Sequence, residues 1–120
     1  MLKFDHLAIP VGDYARSRDW YVGRLGLRVE FEIPERRTVA LQDSEGFAIF
    51  LQEVAPAPSP QGTALWFQVA DVDAAFTELA ARGVEFAHGP QKTYWGYGAE
   101  LVDPDGYRLR LWDERSMRGK

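Results

Sequence analysis

The chain repeats itself, and an internal repeat constrains architecture before any single residue is interpreted. His6-Leu7-Ala8-Ile9-Pro10-Val11-Gly12-Asp13 aligns with Ala64-Leu65-Trp66-Phe67-Gln68-Val69-Ala70-Asp71 at an offset of 58 residues, with Leu, Val and Asp coinciding. Val29-Glu30-Phe31 recurs as Val84-Glu85-Phe86, where a shorter turn after the second helix reduces the offset to 55. Asp43-Ser44-Glu45-Gly46-Phe47 matches Asp103-Pro104-Asp105-Gly106-Tyr107 at an offset of 60, each a turn sequence feeding a closing strand. A chain of 120 residues suffices for one domain and is too short for two independent ones, so the halves are modules of a single domain.

Local signals within each half agree with that plan. Residues 2–9 alternate as a strand, and Asp13 is an N-cap for a helix over about 13–24 that ends at Gly26. Asp71 caps a second helix, about 71–82, whose Val72, Ala75, Phe76, Leu79 and Ala80 recur at helical spacing before Gly83. Strand-like runs follow at about 27–33, 37–43 and 47–53, then at 84–88, 92–102 and 107–113. The expected fold is α+β, two βαβββ modules: module one 1–54, a linker 55–62, module two 63–113 and a polar tail 114–120 that frays. The linker is set by Pro56, Pro58 and Pro60, which forbid helix and favour an extended connector.

Composition narrows the partners. With no cysteine there is no disulfide, thiolate nucleophile or Cys-based zinc site. A net charge of -4 without a dense basic stripe argues against nucleic acid, and no run approaches the roughly 20 apolar residues of a membrane span. Met1 leads directly into a strand-like pattern with no basic segment or cleavage site, which sets a cytoplasmic expectation. A small-molecule ligand is the expected partner.

The two βαβββ modules, the opening Phe4-Asp5-His6-Leu7-Ala8-Ile9, the helix piece Ser17-Arg18-Asp19-Trp20-Tyr21 before Leu25-Gly26-Leu27, and Trp95-Gly96 ahead of Asp103-Pro104-Asp105-Gly106-Tyr107 carry a resemblance. Over nearly its whole length the chain resembles the glyoxalase/bleomycin-resistance/dioxygenase family, the vicinal oxygen chelate superfamily. The resemblance implies curled mixed sheets around a shared cleft, and frequent pairing into homodimers. In metal-dependent members four ligands enter the cleft, from the start of each module's first strand and from each module's last strand. Those positions here are His6, Phe50, Ala64 and Arg110, and the repeat independently pairs His6 with Ala64 and Phe50 with Arg110. Only His6 can ligate a metal, and the Arg110 guanidinium would repel one. Glu53 and Glu100 are the substitutes a shifted register would offer, but Glu53 has the wrong parity to face the cleft. No metal and no cofactor are expected.

Alternation sends Phe50 and Gln52, Trp66 and Gln68, and Arg108, Arg110 and Trp112 to the side that His6 faces, and Leu7, Ile9, Ile49, Leu51, Leu65, Phe67, Val69, Leu109 and Leu111 to the helices. Trp95 and Tyr97, on the seventh strand, add a wall or lid, and His88 sits in a surface turn before Gly89-Pro90. His6 is either a hydrogen-bonded cleft residue or a base. The tryptophans either receive a ligand or fill the groove, and Gln52, Gln68 and Arg110 favour a ligand because burying them unpaired is costly. The expected function is therefore metal-free binding of a small molecule with an aromatic or apolar body and an anionic group, similar to bleomycin-resistance proteins, with Glu100 as an internal competitor for Arg110. The alternatives are a metal-dependent lyase, isomerase or ring-cleaving dioxygenase, and a structural module with a filled cleft.

Overall fold

The computed structural model describes residues 1–60 and 62–118; Gln61 in the linker and positions 119 and 120 of the tail lie outside them. By backbone contacts the chain divides into two units, Met1–Ser59 and the residues from Pro60 onward, each built on the same plan.

The first unit runs β1 (His6–Val11), α1 (Tyr14–Leu25), β2 (Arg28–Ile33), β3 (Thr38–Gln42) and β4 (Ala48–Glu53). The second runs β5 (Ala64–Gln68), α2 (Val72–Ala81), β6 (Phe86–Thr93), β7 (Gly96–Val102), β8 (Arg108–Trp112) and a short α3 (Glu114–Arg118). Each unit holds an open four-stranded mixed sheet, ordered β1-β4-β3-β2 and β5-β8-β7-β6. First and last strands pair in parallel, His6 opposite Ala48 and Ala64 opposite Arg108, while the other pairs are antiparallel. The fold class expected from the repeat is the one observed.

The helices begin and end where the local chemistry directs. Asp13 and Asp71 are extended N-caps whose carboxylates accept the N–H of Arg16 and Ala74, and Gly26 closes α1 at φ 78°, a conformation that costs glycine nothing. Asp43 Oδ1 accepts the N–H of Glu45 and Phe47, and Asp103 Oδ1 those of Asp105 and Tyr107, so the turn before each closing strand is built twice from one pattern.

A second repeated device joins helix to sheet. Tyr14, first residue of α1, donates its N–H to Glu53 at the end of β4 (3.1 Å), and Val72, first residue of α2, donates to Asp113 just after β8 (2.8 Å). Glu53 thus turns toward its helix, as parity required. Asp113 is 1% exposed and accepts from Ser116 N–H as well, capping α3.

The apolar core lies between helix and sheet in each unit. Ile9, Val39, Leu41, Ile49 and Leu51 are buried in the first, and Val72, Ala99, Leu101, Leu109 and Leu111 in the second. Leu7, expected among them, is 46% exposed because β1 is the sheet edge and α1 packs mainly over β4, β3 and β2.

Five sequence expectations need correction. β1 spans 6–11 rather than 2–9, since its parallel partner begins only at Ala48 and the first five residues have no ladder to join. Gly89-Pro90 does not end a strand: β6 continues to Thr93 through register shifts after Phe86 and His88, a bulged edge strand where proline's missing N–H is tolerated. Consequently His88 lies in a strand rather than a turn, and Trp95 sits in the turn between β6 and β7 rather than on β7. The tail does not fray at once, because Asp113 starts α3.

Burial pushes the Asp113 carboxyl up, but the N–H groups of Ser116 and Val72 outweigh it and hold the group below its ordinary 3.8. A carboxyl depressed in the fold contributes stability above its unfolded value, and that contribution disappears as pH falls through the folded one. Asp113→Asn presents an amide N–H₂ to a backbone N–H and is expected to lose about 1–3 kcal/mol at pH 7 in urea unfolding. Its further loss between roughly pH 5 and 2, where carboxylates titrate, should be smaller than the parent's; equal acid sensitivity would contradict this role.

Candidate functional site

The face of the second sheet turned away from α2 carries a continuous row of side chains, one from each strand. Register places Trp66 (β5) opposite Arg110 (β8), Arg110 opposite Glu100 (β7), and Glu100 opposite His88 (β6). Side chains alternate along β5, β7 and β8, and the register shift between Phe86 and His88 reverses the sides on β6, so these four share a face while Leu65, Leu109, Leu101 and Phe86 point to the helix side. Phe86 meets Phe76 of α2 there, ring centroids 4.7 Å apart.

The aromatic end of the row is organised and open. The Arg110 guanidinium lies over the Trp66 ring, 5.1 Å from its centroid, and the Trp95 indole meets Trp66 edge-on at 4.7 Å and 74°. Trp66 nevertheless remains 46% exposed. Trp112 pairs with Gln68 one step along, so both project on the same side as Trp66 and Arg110. Gln68 also lines a hollow of about 240 Å³ with Glu114 and Arg115.

At the polar end Glu100 stands among three cationic or potentially cationic groups. Its Oε1 is 3.7 Å from Arg110 Nε and 3.8 Å from His88 Nε2, and its Oε2 is 3.7 Å from Arg108. These are ion-pair distances beyond hydrogen-bond reach. His88 Nδ1 is engaged with the Gly89 carbonyl at 2.8 Å.

Of the residues marked in the sequence, Trp66, Trp95, Gln68, Arg110 and Trp112 belong to the second unit and come together on this sheet or over it. Tyr97 turns the other way: its hydroxyl donates to Asp73 of α2 at 2.6 Å, which holds its pKa above the ordinary value. His6, Phe50 and Gln52 belong to the first unit. There the His6 ring stacks on Phe50 at 3.6 Å, its Nδ1 is 2.7 Å from an Asp5 carboxylate oxygen, and Gln52 is exposed. Phe50 also meets Phe31 edge-on at 5.4 Å and lines a hollow of about 250 Å³ with Phe4, Phe31 and Ala48. Arg108 was legible only as a parity residue, and His88 as a surface one; the β7–β8 and β6–β7 registers reveal their place beside Glu100.

A resident divalent ion does not fit this donor set. The positions that the resemblance assigns to ligands hold His6, Phe50, Ala64 and Arg110, and among the described residues no group of three or more His, Asp or Glu could hold a metal.

The model of the Glyoxalase/Bleomycin resistance protein/Dioxygenase superfamily matches residues 3–111. The chain belongs to that superfamily. None of the curated proteins matches it. Among solved structures of similar fold, TnmS3, an antibiotic binding protein from Streptomyces sp. CB03234, is 27% identical with a TM-score of 0.78, the match covering 94% of this chain and 96% of that one. A superfamily member from Sphaerobacter thermophilus is 26% identical with a TM-score of 0.78 over 95% of this chain and 99% of its own. A protein from Agrobacterium tumefaciens is 28% identical, TM-score 0.71, over 95% of both chains.

This superfamily member seats Trp95 over a glycine. A Cβ on Gly98 would collide with the Trp95 ring and with the Leu111 carbonyl, so the indole lies where only glycine leaves room. Gly98→Ala is expected to displace Trp95, visible as a shifted tryptophan emission, and to lower stability by about 1–3 kcal/mol; an unchanged spectrum and melting temperature would remove Trp95 from this face.

Proposed function

We infer that this chain is a metal-independent binding protein for a small organic molecule with an aromatic or apolar body, received on the Trp66 face of the second sheet. The observation that carries this reading is Trp66 itself: nearly half exposed, yet in contact with a guanidinium and with a second indole. An ordered, solvent-facing tryptophan beside polar groups has the composition of a ligand surface rather than of sealed interior. Trp95, Gln68 and Trp112 extend that surface, and His6, Phe50 and Gln52 offer a second aromatic one on the first sheet. The similarity to an antibiotic binding protein supports an antibiotic-like ligand.

The test is a tryptophan-fluorescence screen of planar aromatic compounds, antibiotics included, followed by calorimetry on the best binder. Trp66→Ala should weaken it about tenfold or more, and prior dialysis against EDTA should change nothing. Binding that survives Trp66→Ala intact, or is lost with EDTA and restored by a divalent ion, rejects the reading.

The reading includes a cytoplasmic homodimer. Among the described residues no helix is long and apolar enough to cross a membrane. Edge strands β1 and β5 each have a hydrogen-bonded neighbour on one side within their sheet, and Leu7 on β1 is exposed. Sedimentation at roughly tens of micromolar, above the dissociation range of a standard interface, should give twice the 13.6 kDa chain mass; a monomer there would contradict it.

A further inference from the structure

We propose that the ligand's polar group is a carboxylate, taken up between Arg108 and Arg110, and that Glu100 is the residue that sets how strongly it is preferred. This rests on the aromatic-binding reading above and adds the charge of the ligand to it.

The argument begins with an imbalance. Two guanidiniums face one carboxylate across neighbouring strands, leaving one positive charge in excess before His88 is counted. Glu100 is 15% exposed and Arg110 21%, so water screens the cluster less than it would an open surface pair. Glu100 nonetheless satisfies neither arginine with a hydrogen bond, standing 3.7 Å from each. Among the described residues Arg110 Nε is buried with no hydrogen-bond partner.

Arg110 Nε itself is closed to solvent, so an incoming anion meets the part of the Arg110 side chain that stays exposed. A planar carboxylate matches the guanidinium fork, and Arg108, half exposed on the same face, supplies a second fork one side-chain position away on β8. Arg110 also stacks on Trp66, so a ligand lying on the indole brings its charged end to the guanidiniums. An aromatic carboxylate fills both halves of the row. Glu100 opposes it, because its negative charge lies within 3.7 Å of a nitrogen of each arginine and partly neutralises both. Its retention makes the anion site weak by itself and dependent on simultaneous stacking, so inorganic anions are not held.

Three probes of one shape separate the contributions: 1-naphthoate, neutral 1-naphthamide and 1-naphthylmethylammonium, titrated calorimetrically into the full chain. Naphthoate is expected to bind about tenfold or more tightly than naphthamide, and the ammonium weakest. Glu100→Gln should tighten naphthoate severalfold and leave naphthamide unchanged. Arg108→Gln, at a half-exposed position that the core does not need, should remove most of the naphthoate advantage. If naphthamide binds and naphthoate binds no better, or if the ammonium binds best, the carboxylate assignment is overturned while the aromatic face stands. If none of the three binds, the aromatic face falls and the carboxylate site with it. If Glu100→Gln leaves the naphthoate advantage unaltered in a folded protein, as judged by circular dichroism, Glu100 does not set the preference.

Discussion

Parallel pairing between the first and last strand of each unit is the constraint from which the rest of this structure follows. A parallel neighbour cannot be reached by a tight turn, so the chain must leave β1, cross over through a helix and two antiparallel strands, and return as β4; the second unit repeats the circuit with β5 and β8. That circuit leaves one face of each sheet to a helix and the other free. It also fixes register: with Ala64 opposite Arg108, Trp66 must lie beside Arg110 and Gln68 beside Trp112. The carboxylates of Glu53 and Asp113, at the ends of the returning strands, then hold the first turn of each helix against the sheet that it crossed.

The duplication makes the two free faces comparable position by position. The row across the first sheet reads Ala8, Phe50, Ala40, Phe31, and the corresponding row across the second reads Trp66, Arg110, Glu100, His88. One scaffold thus carries an apolar strip in one copy and an aromatic strip ending in charge in the other. Residues that form the scaffold recur between copies, notably the Asp13 and Asp71 caps and the Asp43 and Asp103 turns, whereas the side chains on the free faces do not. Shared folding requirements explain the recurring set. They place no demand on the free faces, which are where the copies differ.

Much of this was readable from the chain alone because it depends on local chemistry or on strict alternation. The helix caps, the Asp-Gly turns, the two-module order and the shared side of Trp66, Arg110 and Trp112 all follow from rules that span a few residues. What escaped depends on pairing between strands distant in sequence. Gly89-Pro90 carries every local sign of a turn, and only the ladder with β7 keeps it within a bulged strand, which moves His88 beside Glu100 and Trp95 off β7. Glu100 was foreseen as a competitor for Arg110, but its second partner, Arg108, required the β7–β8 register. Asp113 looked like the last residue of a strand; its capping of α3 became visible only with its burial.

The irregularities in β2 and β6 have a consequence of their own. These are the outer antiparallel strands, and an open sheet edge is a template onto which a stray extended segment can add. Both edges are broken in register, β2 between Val29 and Phe31 and β6 on either side of His88, and Pro90 removes a donor from the second. A strand arriving from another molecule would find no run of evenly spaced donors and acceptors long enough to zip against. A protein that keeps an aromatic, half-dry surface exposed on one side of its sheet thereby stays resistant to fibre-like stacking along these two edges.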